Sequence, residues 1–193
     1  GLNQATPCLT INKICGSGLK AVMLASDLIR LGDAQVVVAG GQESMSNAPF
    51  LVEKVRSGYR MGSQTLVDSM IKDGLWDPGN NFHMGVAAEI CVKENKFTRQ
   101  EQDQYSIESY QFAQDAISKG YFKNEITEVM IDSKEGPKPF SSDEEPFKTK
   151  FDKIPKLRPV FDKDGSVTAA NSSKLNDGGA ALVLMNSVKA KGL

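Results

Sequence analysis

Cys15 is the residue of this 193-residue chain whose surroundings best suit a nucleophile. Before it, residues 9–11 alternate apolar and polar side chains, which predicts a half-buried strand. After it, residues 19–31 lack helix breakers and end at Gly32, which predicts a helix with a glycine cap. The sulfur would then lie at a helix N-terminus, where unpaired backbone N–H groups and the helix dipole stabilise a thiolate.

An inert, buried thiol is the alternative, and it is the commoner state of a free cysteine. We keep that interpretation for Cys8, expected inside a strand, and for Cys91, expected inside a helix. At Cys15 a strand end, a Gly-Ser-Gly turn and a helix start coincide, which favours the nucleophile. Gly16 and Gly18 carry no side chains, so a bulky acyl group can approach the sulfur and the nearby amides.

Composition bounds the class of protein. The chain is 40% hydrophobic with a net charge of −1, which is typical of globular domains and argues against nucleic acid or an anionic membrane as partner. Three cysteines at unrelated spacings favour neither a disulfide framework nor a zinc site, as in a reducing compartment. We expect a cytoplasmic location. A mitochondrial matrix location stays open, because residue 1 is glycine and a targeting segment can precede it.

The first third of the chain is predicted to form a βαβ unit within residues 6–46. Residues 35–39 form a continuous apolar run of the kind found in parallel sheets. The helix before them is apolar nearly all round, which predicts that it is sandwiched between layers.

From residue 47 the pattern changes to short elements and turns. We expect a helix over residues 66–71 that stops at Gly74, and another after Gly85. Thr98 and Glu101 have the spacing of a capping box, which predicts the start of a long helix that ends near Gly120. Residues 125–131 and 180–185 are predicted strands.

Two motifs resemble those of the thiolase family, specifically its acetyl-CoA acetyltransferases. They are the nucleophile motif and the strand that follows its helix, here Asn12-Lys13-Ile14-Cys15-Gly16-Ser17-Gly18-Leu19-Lys20 and Val38-Ala39-Gly40-Gly41-Gln42-Glu43-Ser44-Met45-Ser46. The resemblance implies an α/β chain, part of a layered αβαβα fold with a mixed sheet, a buried helix and an α+β loop-domain insertion. Residues 1–46 would be core, 47–165 a loop domain over coenzyme A, and 166–193 the return to the core. It covers about half of a family member, so we expect a partial chain without the first strands and the C-terminal half.

The resemblance also implies a reaction. Cys15 would attack an acyl-CoA thioester, and the acyl-cysteine would condense with a second acetyl-CoA to give acetoacetyl-CoA, or run in reverse. The Cys15 N–H would form part of an oxyanion hole. The family's catalytic histidine, second cysteine and water-positioning asparagine have no counterpart here, so we expect these residues alone to be inactive. The substrates would be coenzyme A thioesters, and no metal or other cofactor is implied.

Two other functions stay open. A long-chain 3-ketoacyl-CoA thiolase is the runner-up among enzymes. A non-catalytic acyl-CoA binding domain of the same superfamily would need the loop domain but not Cys15.

His83, the only histidine, is most simply a structural residue. By resemblance, however, His83 and Met84 would lie along the pantetheine arm and narrow the acyl pocket, which favours a short-chain substrate. Leu75 matches a position in the pantetheine channel, although core packing explains it equally. The resemblance further assigns to coenzyme A the residues Val160, Phe161, Ala169, Ser173 and Leu175.

The stretch 133–161 mixes many lysines with acids, and a solvated mixed-charge loop is its simplest interpretation. Thiolases commonly place an arginine there against the coenzyme A phosphates, and Lys148 is the best match, with Lys150 as an alternative. A similarity of residues 40–43 to thiolase interface segments favours a homo-oligomer, either dimer or tetramer. A monomer is the simpler alternative.

Overall fold

Residues 2–193 are described by a computed structural model, which divides into two compact units. The first unit comprises the chain up to Asn81 together with Leu175–Leu193, and the second is Phe82–Lys174. Gly1, where the predicted first domain begins, lies outside the described residues. The predicted boundaries at residues 46 and 165 concern domain roles and stay predictions.

The described residues form five α-helices and eight strands, which are interspersed along the chain. The helices are α1 (Ser17–Leu31), α2 (Met84–Asn95), α3 (Arg99–Ser118), α4 (Glu145–Lys148) and α5 (Ser187–Lys191). The strands are β1 (Val36–Ser44), β2 (Phe50–Val52), β3 (Leu66–Asp68), β4 (Trp76–Asp77), β5 (Phe82–His83), β6 (Val129–Ile131), β7 (Lys138–Phe140) and β8 (Asp177–Met185). Single turns of 3₁₀-helix lie at Met45–Asn47 and Val55–Ser57, a longer 3₁₀ segment at Phe151–Lys156, and a π-helix at Met70–Leu75. None of the helices in residues 2–193 combines the length and the apolar character needed to cross a bilayer.

Helix α1 forms as predicted and ends at Gly32, whose φ of 84° is the left-handed geometry that glycine supplies at a helix C-terminus. It packs against β1 and β8, and Ala25 is its one fully buried residue. Leu19 is 71% exposed and Leu31 76% exposed. The second covering layer around this helix therefore stays a prediction.

Strands β1 and β8 pair antiparallel over their full length, from Val36 opposite Met185 to Ser44 opposite Asp177. The predicted βαβ unit is wrong, because residues 9–11 form no strand and the only described partner of β1 is β8. Alternation of apolar side chains cannot make a strand without a neighbour for its backbone N–H and C=O groups. A strand from the first quarter of the chain thus pairs with one close to residue 193.

Several predictions for the middle of the chain need correction. The helix expected over residues 66–71 is instead β3 followed by the π-helix, and the strand expected over 125–131 is confined to β6. The capping box is confirmed: the Glu101 N–H donates to Thr98 Oγ1 at 3.2 Å, and the Thr98 N–H donates to Glu101 Oε2 at 2.7 Å. These contacts fix the first turn of α3.

The interior of the second unit is partly polar. Ile154 and Val167 are buried there, and so are Glu89 and Asp103, which are 2% and 4% exposed. Every buried side-chain nitrogen and oxygen among the described residues has a hydrogen-bond partner. Polar contacts therefore organise this unit as much as apolar packing does.

We predict that Gly40→Ala destabilises the first unit by about 2 kcal/mol, because the added methyl group overlaps the Ala180 carbonyl of the paired strand. Gly179→Ala is the matched control, since its methyl group would lie 3.7 Å from the nearest atoms. We expect that control to change the free energy of unfolding by less than about 0.5 kcal/mol. Urea unfolding of both variants measures the difference, and equal effects would contradict the packing of β1 on β8.

Candidate active site

Cys15 occupies a tight turn that leads directly into α1. The residue before it, Ile14, has a φ of 49°, a left-handed conformation that is unfavourable for a β-branched side chain. Ser17 holds the turn: its hydroxyl accepts the Lys13 N–H at 2.8 Å and donates to the Ile14 carbonyl at 2.7 Å. The Gly16 N–H also donates to the Lys13 carbonyl at 3.0 Å. The strain at Ile14 is thus maintained by hydrogen bonds on both sides of the cysteine.

The backbone beside the sulfur offers free donors. Within the described part of the chain, the N–H groups of Cys15, Gly18 and Leu19 donate to no protein acceptor. The first hydrogen bond with the i to i−4 spacing of an α-helix runs from the Lys20 N–H to the Gly16 carbonyl, at 2.9 Å. Unpaired N–H groups at a helix start attract negative charge, which a thiolate or the oxyanion of a thioester adduct would carry.

A contact between two glycines sets the position of this turn. A methyl group on Gly41 of β1 would lie 3.1 Å from the Gly18 Cα, and one on Gly18 would lie 3.6 Å from Gly41. The backbones of α1 and β1 therefore lie close together here, and a side chain on Gly41 would fit only with a small shift of the helix. The start of the helix, and Cys15 with it, is fixed against the sheet.

All three cysteines are free and exposed. The expectation that Cys8 and Cys91 are buried thiols in regular elements is therefore wrong for both side chains, and Cys8 lies outside any strand. Cys91 does lie in α2, as predicted, where its carbonyl accepts the Asn95 side-chain amide at 2.9 Å. Exposure alone does not distinguish Cys15 from the others. Its turn and the free N–H groups do.

His83 lies at the start of α2 in the second unit. Its Nδ1 accepts the Gly85 N–H at 2.9 Å, so the ring caps the helix and a proton on the neutral ring resides on Nε2. The ring stacks on Phe161, with centroids 5.0 Å apart and planes inclined by 20°. A methyl group on Gly85 would overlap the Phe161 ring. The structure thus joins two of the predicted coenzyme A residues, with the half-exposed Met84 next in the chain.

A groove of about 320 Å³ opens elsewhere on the second unit. Four lysines line it together with an apolar floor, and its lining residues are Glu145, Lys148, Thr149, Lys150, Lys153, Ile154, Leu157, Ala169, Ala170 and Lys174. Of the predicted coenzyme A residues it gathers Lys148 and Ala169. Val160 and Ser173 are exposed in the same unit but do not line the groove, and Leu75 and Leu175 belong to the first unit.

The lysines of the groove differ in their partners. Lys148 donates to Glu144 at 2.8 Å, and this hydrogen bond raises the pKa of its ammonium group. Lys174 lies 4.0 Å from Glu145. Lys150 and Lys153 have no carboxylate within ion-pair distance among residues 2–193. They are the cations of the groove that are open to an anionic ligand.

Comparison with known proteins assigns the family. Residues 1–188 match the family described as Thiolase, N-terminal domain. The chain belongs to the thiolase family. Proteins called acetyl-CoA acetyltransferase from Pseudomonas aeruginosa and Cupriavidus necator are each 51% identical to it, and one from Yarrowia lipolytica is 49% identical. Each alignment covers 100% of this chain but 48% to 50% of the relative, so the chain spans about half the length of the curated relatives it matches.

The family match confirms the predicted thiolase resemblance and the α/β class. Sequence reasoning missed a set of polar side chains in this thiolase domain: Glu89, Arg99, Asp103, Thr168 and Asn171, which bind one another or the backbone around residues 154–171. The local signals were the i,i+4 spacing of Arg99 and Asp103 and the acids on helix positions that also carry apolar neighbours. The contacts that link α2 and α3 to residues 154–171 span more than 50 positions in the chain, so no spacing rule finds those.

We predict that Ile14→Asn stabilises this thiolase domain by about 1 kcal/mol, because asparagine adopts the left-handed conformation more readily than a β-branched residue. Ile14 is half exposed, so the substitution removes little buried area. Ile11→Asn is the control, since Ile11 has no positive φ and should give no gain. Chemical denaturation compares the two variants, and a loss of stability in Ile14→Asn equal to that in Ile11→Asn would contradict strain at the turn.

Proposed function

We propose that this chain carries the nucleophile and part of the coenzyme A site of an acetyl-CoA C-acetyltransferase. The Cys15 thiolate attacks the thioester carbonyl carbon of acetyl-CoA and expels the coenzyme A thiolate, leaving an acetyl-cysteine. The carbanion of a second acetyl-CoA, formed by loss of an α-proton to a base, attacks the acetyl carbonyl. Acetoacetyl-CoA is released with the Cys15 thiolate, and thiolysis is the same sequence in reverse.

The observation that carries the proposal is the turn at Cys15. An exposed sulfur, a strained residue before it and unpaired N–H groups after it match what a thioester nucleophile needs. A buried thiol without those donors would suit a domain that only binds acyl-CoA. The names of the relatives support the same activity.

For coenzyme A we propose the residues that the family resemblance assigns, each within its own unit. In the second unit the stacked His83 and Phe161, with Met84, would contact the pantetheine arm and favour a short acyl chain. The free Nε2–H of His83 is a donor for a carbonyl oxygen of the substrate. The remaining proposed contacts are Leu75, Lys148, Val160, Ala169, Ser173 and Leu175.

For the phosphates of coenzyme A we favour Lys150 and Lys153 beside Lys148. Lys148 is already paired with Glu144, so a phosphate must compete with that carboxylate for it. Lys150 and Lys153 line the same groove without an acidic partner in the described chain. A phosphate gains more from cations whose charge is not already compensated.

The acid–base steps, the assembly and the compartment rest on the resemblance alone. The family's histidine and second cysteine have no counterpart in this sequence, and the Nδ1 of His83 is occupied by a backbone N–H. We therefore propose that the 193 residues acylate slowly and do not turn over by themselves. We further propose a homo-oligomer, dimer or tetramer, in the cytoplasm.

Alkylation of the cysteines tests the nucleophile. We expect iodoacetamide at neutral pH to modify Cys15 about tenfold faster than Cys8 or Cys91, and saturating acetyl-CoA to suppress that reaction. Peptide mass spectrometry after short exposures gives all three rates, with Cys8 and Cys91, which are also exposed, as internal controls. Equal rates at the three sulfurs, without protection by acetyl-CoA, would contradict the assignment.

Charge removal in the groove tests the phosphate contacts. We expect Lys150→Gln and Lys153→Gln each to raise the dissociation constant of coenzyme A about fivefold, because each removes a charge-assisted hydrogen bond. Lys123→Gln, outside the groove on the same unit, should leave binding unchanged. Calorimetric titration measures the constants. A larger rise in the dissociation constant for Lys148→Gln than for either of the other two variants would assign the main phosphate contact to Lys148 instead.

A further inference from the structure

Residues 166–173 form a segment without helix or strand that is nevertheless buried at its centre. Val167 is 3% exposed and Thr168 is fully buried, whereas Ala169 and Ser173, both proposed coenzyme A contacts, are exposed. A buried segment of this kind needs partners for its backbone groups, because water cannot supply them. Its shape therefore depends on whichever side chains provide those partners.

Glu89 provides one set of partners from α2. Its carboxylate accepts the Ser166 N–H at 3.0 Å and the Val167 N–H at 2.8 Å. A methyl group on Gly165 would overlap this carboxylate, so the chain passes as close to Glu89 as a residue without a side chain allows. The start of the segment is fixed to α2.

Asn171 provides the second set of partners. Its Oδ1 accepts the Thr168 N–H at 2.6 Å, and its Nδ2 donates to the Ser166 carbonyl at 3.1 Å. The same Nδ2 donates to Asp103 Oδ1 on α3 at 3.0 Å. The turn that presents Ala169 and Ala170 to the groove is therefore closed by Asn171 and held to α3 by Asp103.

The other oxygen of Asp103 is linked, through Arg99, to residues on the opposite side of the groove. Asp103 Oδ2 accepts the Arg99 Nε–H at 2.8 Å. Arg99 Nη2 donates to the carbonyls of Ile154 and Leu157, at 2.9 and 3.0 Å, and both of these residues line the groove. One buried carboxylate thus joins residues 154–157 to residues 166–171.

We propose that Asp103 is a positioning residue which, through Arg99 and Asn171, sets the separation between these two walls of the groove and so its fit to the nucleotide end of coenzyme A. Glu89 supports it by fixing the start of the second wall. The identity of the ligand rests on the proposed function, whereas the coupling of the walls rests on the contacts alone. Asp103 touches no reacting atom and acts only through the backbone that it holds.

The test replaces Asp103 without changing its size. In Asp103→Asn one carboxylate oxygen becomes an amide donor, so it can no longer accept from both Arg99 and Asn171. Asp115→Asn is the matched control: Asp115 lies on the same helix with a lysine four residues later, 2.8 Å away, but is 52% exposed and outside the groove. Arg99→Lys is a second variant that cuts only the link to residues 154–157.

We expect Asp103→Asn to raise the dissociation constant of coenzyme A about tenfold and to speed amide exchange about tenfold in both walls, at Leu157 and at Thr168. Asp115→Asn should change neither quantity. The exchanged pair Asp103→Asn with Asn171→Asp restores a donor opposite an acceptor and should recover part of both losses. A loss of stability alone would speed amide exchange throughout the second unit and not only in the two walls.

Faster exchange confined to α3, or equal effects in Asp103→Asn and Asp115→Asn, would overturn the proposal. The proposal would also be overturned if Arg99→Lys sped amide exchange in residues 166–171 as much as in residues 154–157. Hydrogen exchange needs no ligand, so it decides the coupling of the walls in every case. Failure of the wild-type chain to bind coenzyme A would instead contradict the proposed function, and with it the role of the walls in binding.

Discussion

The close approach of Gly18 in α1 to Gly41 in β1 is the constraint on which the candidate active site depends. Because neither residue has a side chain, the first turn of the helix lies directly on the sheet. The strained Ile14 and the exposed Cys15 lie beside this contact, and the N–H groups of Cys15, Gly18 and Leu19 donate to no protein acceptor in the described chain. Close packing, backbone strain and unpaired donors thus coincide at this turn, and the proposed nucleophile would use all three.

The second unit meets a different demand, which is to hold an irregular segment in a defined shape. Apolar packing is undirected and cannot specify a loop, whereas hydrogen bonds to buried carboxylates can. Glu89 and Asp103 do this from two helices, and Arg99 extends the second link to the far side of the groove. The capping box at Thr98 fixes the turn from which Arg99 and Asp103 project. A local helix signal in the sequence thereby supports contacts with distant residues.

Sequence reasoning predicted the elements whose signals are local. The glycine cap of α1, the capping box of α3 and the apolar strands β1 and β8 all follow from residues close together in the chain. It failed at residues 9–11, where alternation lacked a partner strand, and at residues 66–75, where the apolar spacing fits a strand as well as a helix. For the site, the motif around Cys15 was evident from its glycines. The Asp103 network was not, because apart from the i,i+4 partner Arg99 its contacts join residues distant in sequence.

Acylation of Cys15 is the central step of the proposed reaction, and the most direct measurement is to look for that bond. The chain is incubated with acetyl-CoA, quenched in acid and analysed by peptide mass spectrometry, beside a Cys15→Ser variant. We predict the mass of one acetyl group on the peptide that contains Cys15, removed by hydroxylamine as a thioester is, and absent from peptides with Cys8 or Cys91. An unmodified Cys15, in a sample that is shown to bind acetyl-CoA, would contradict the assignment of this residue as the nucleophile.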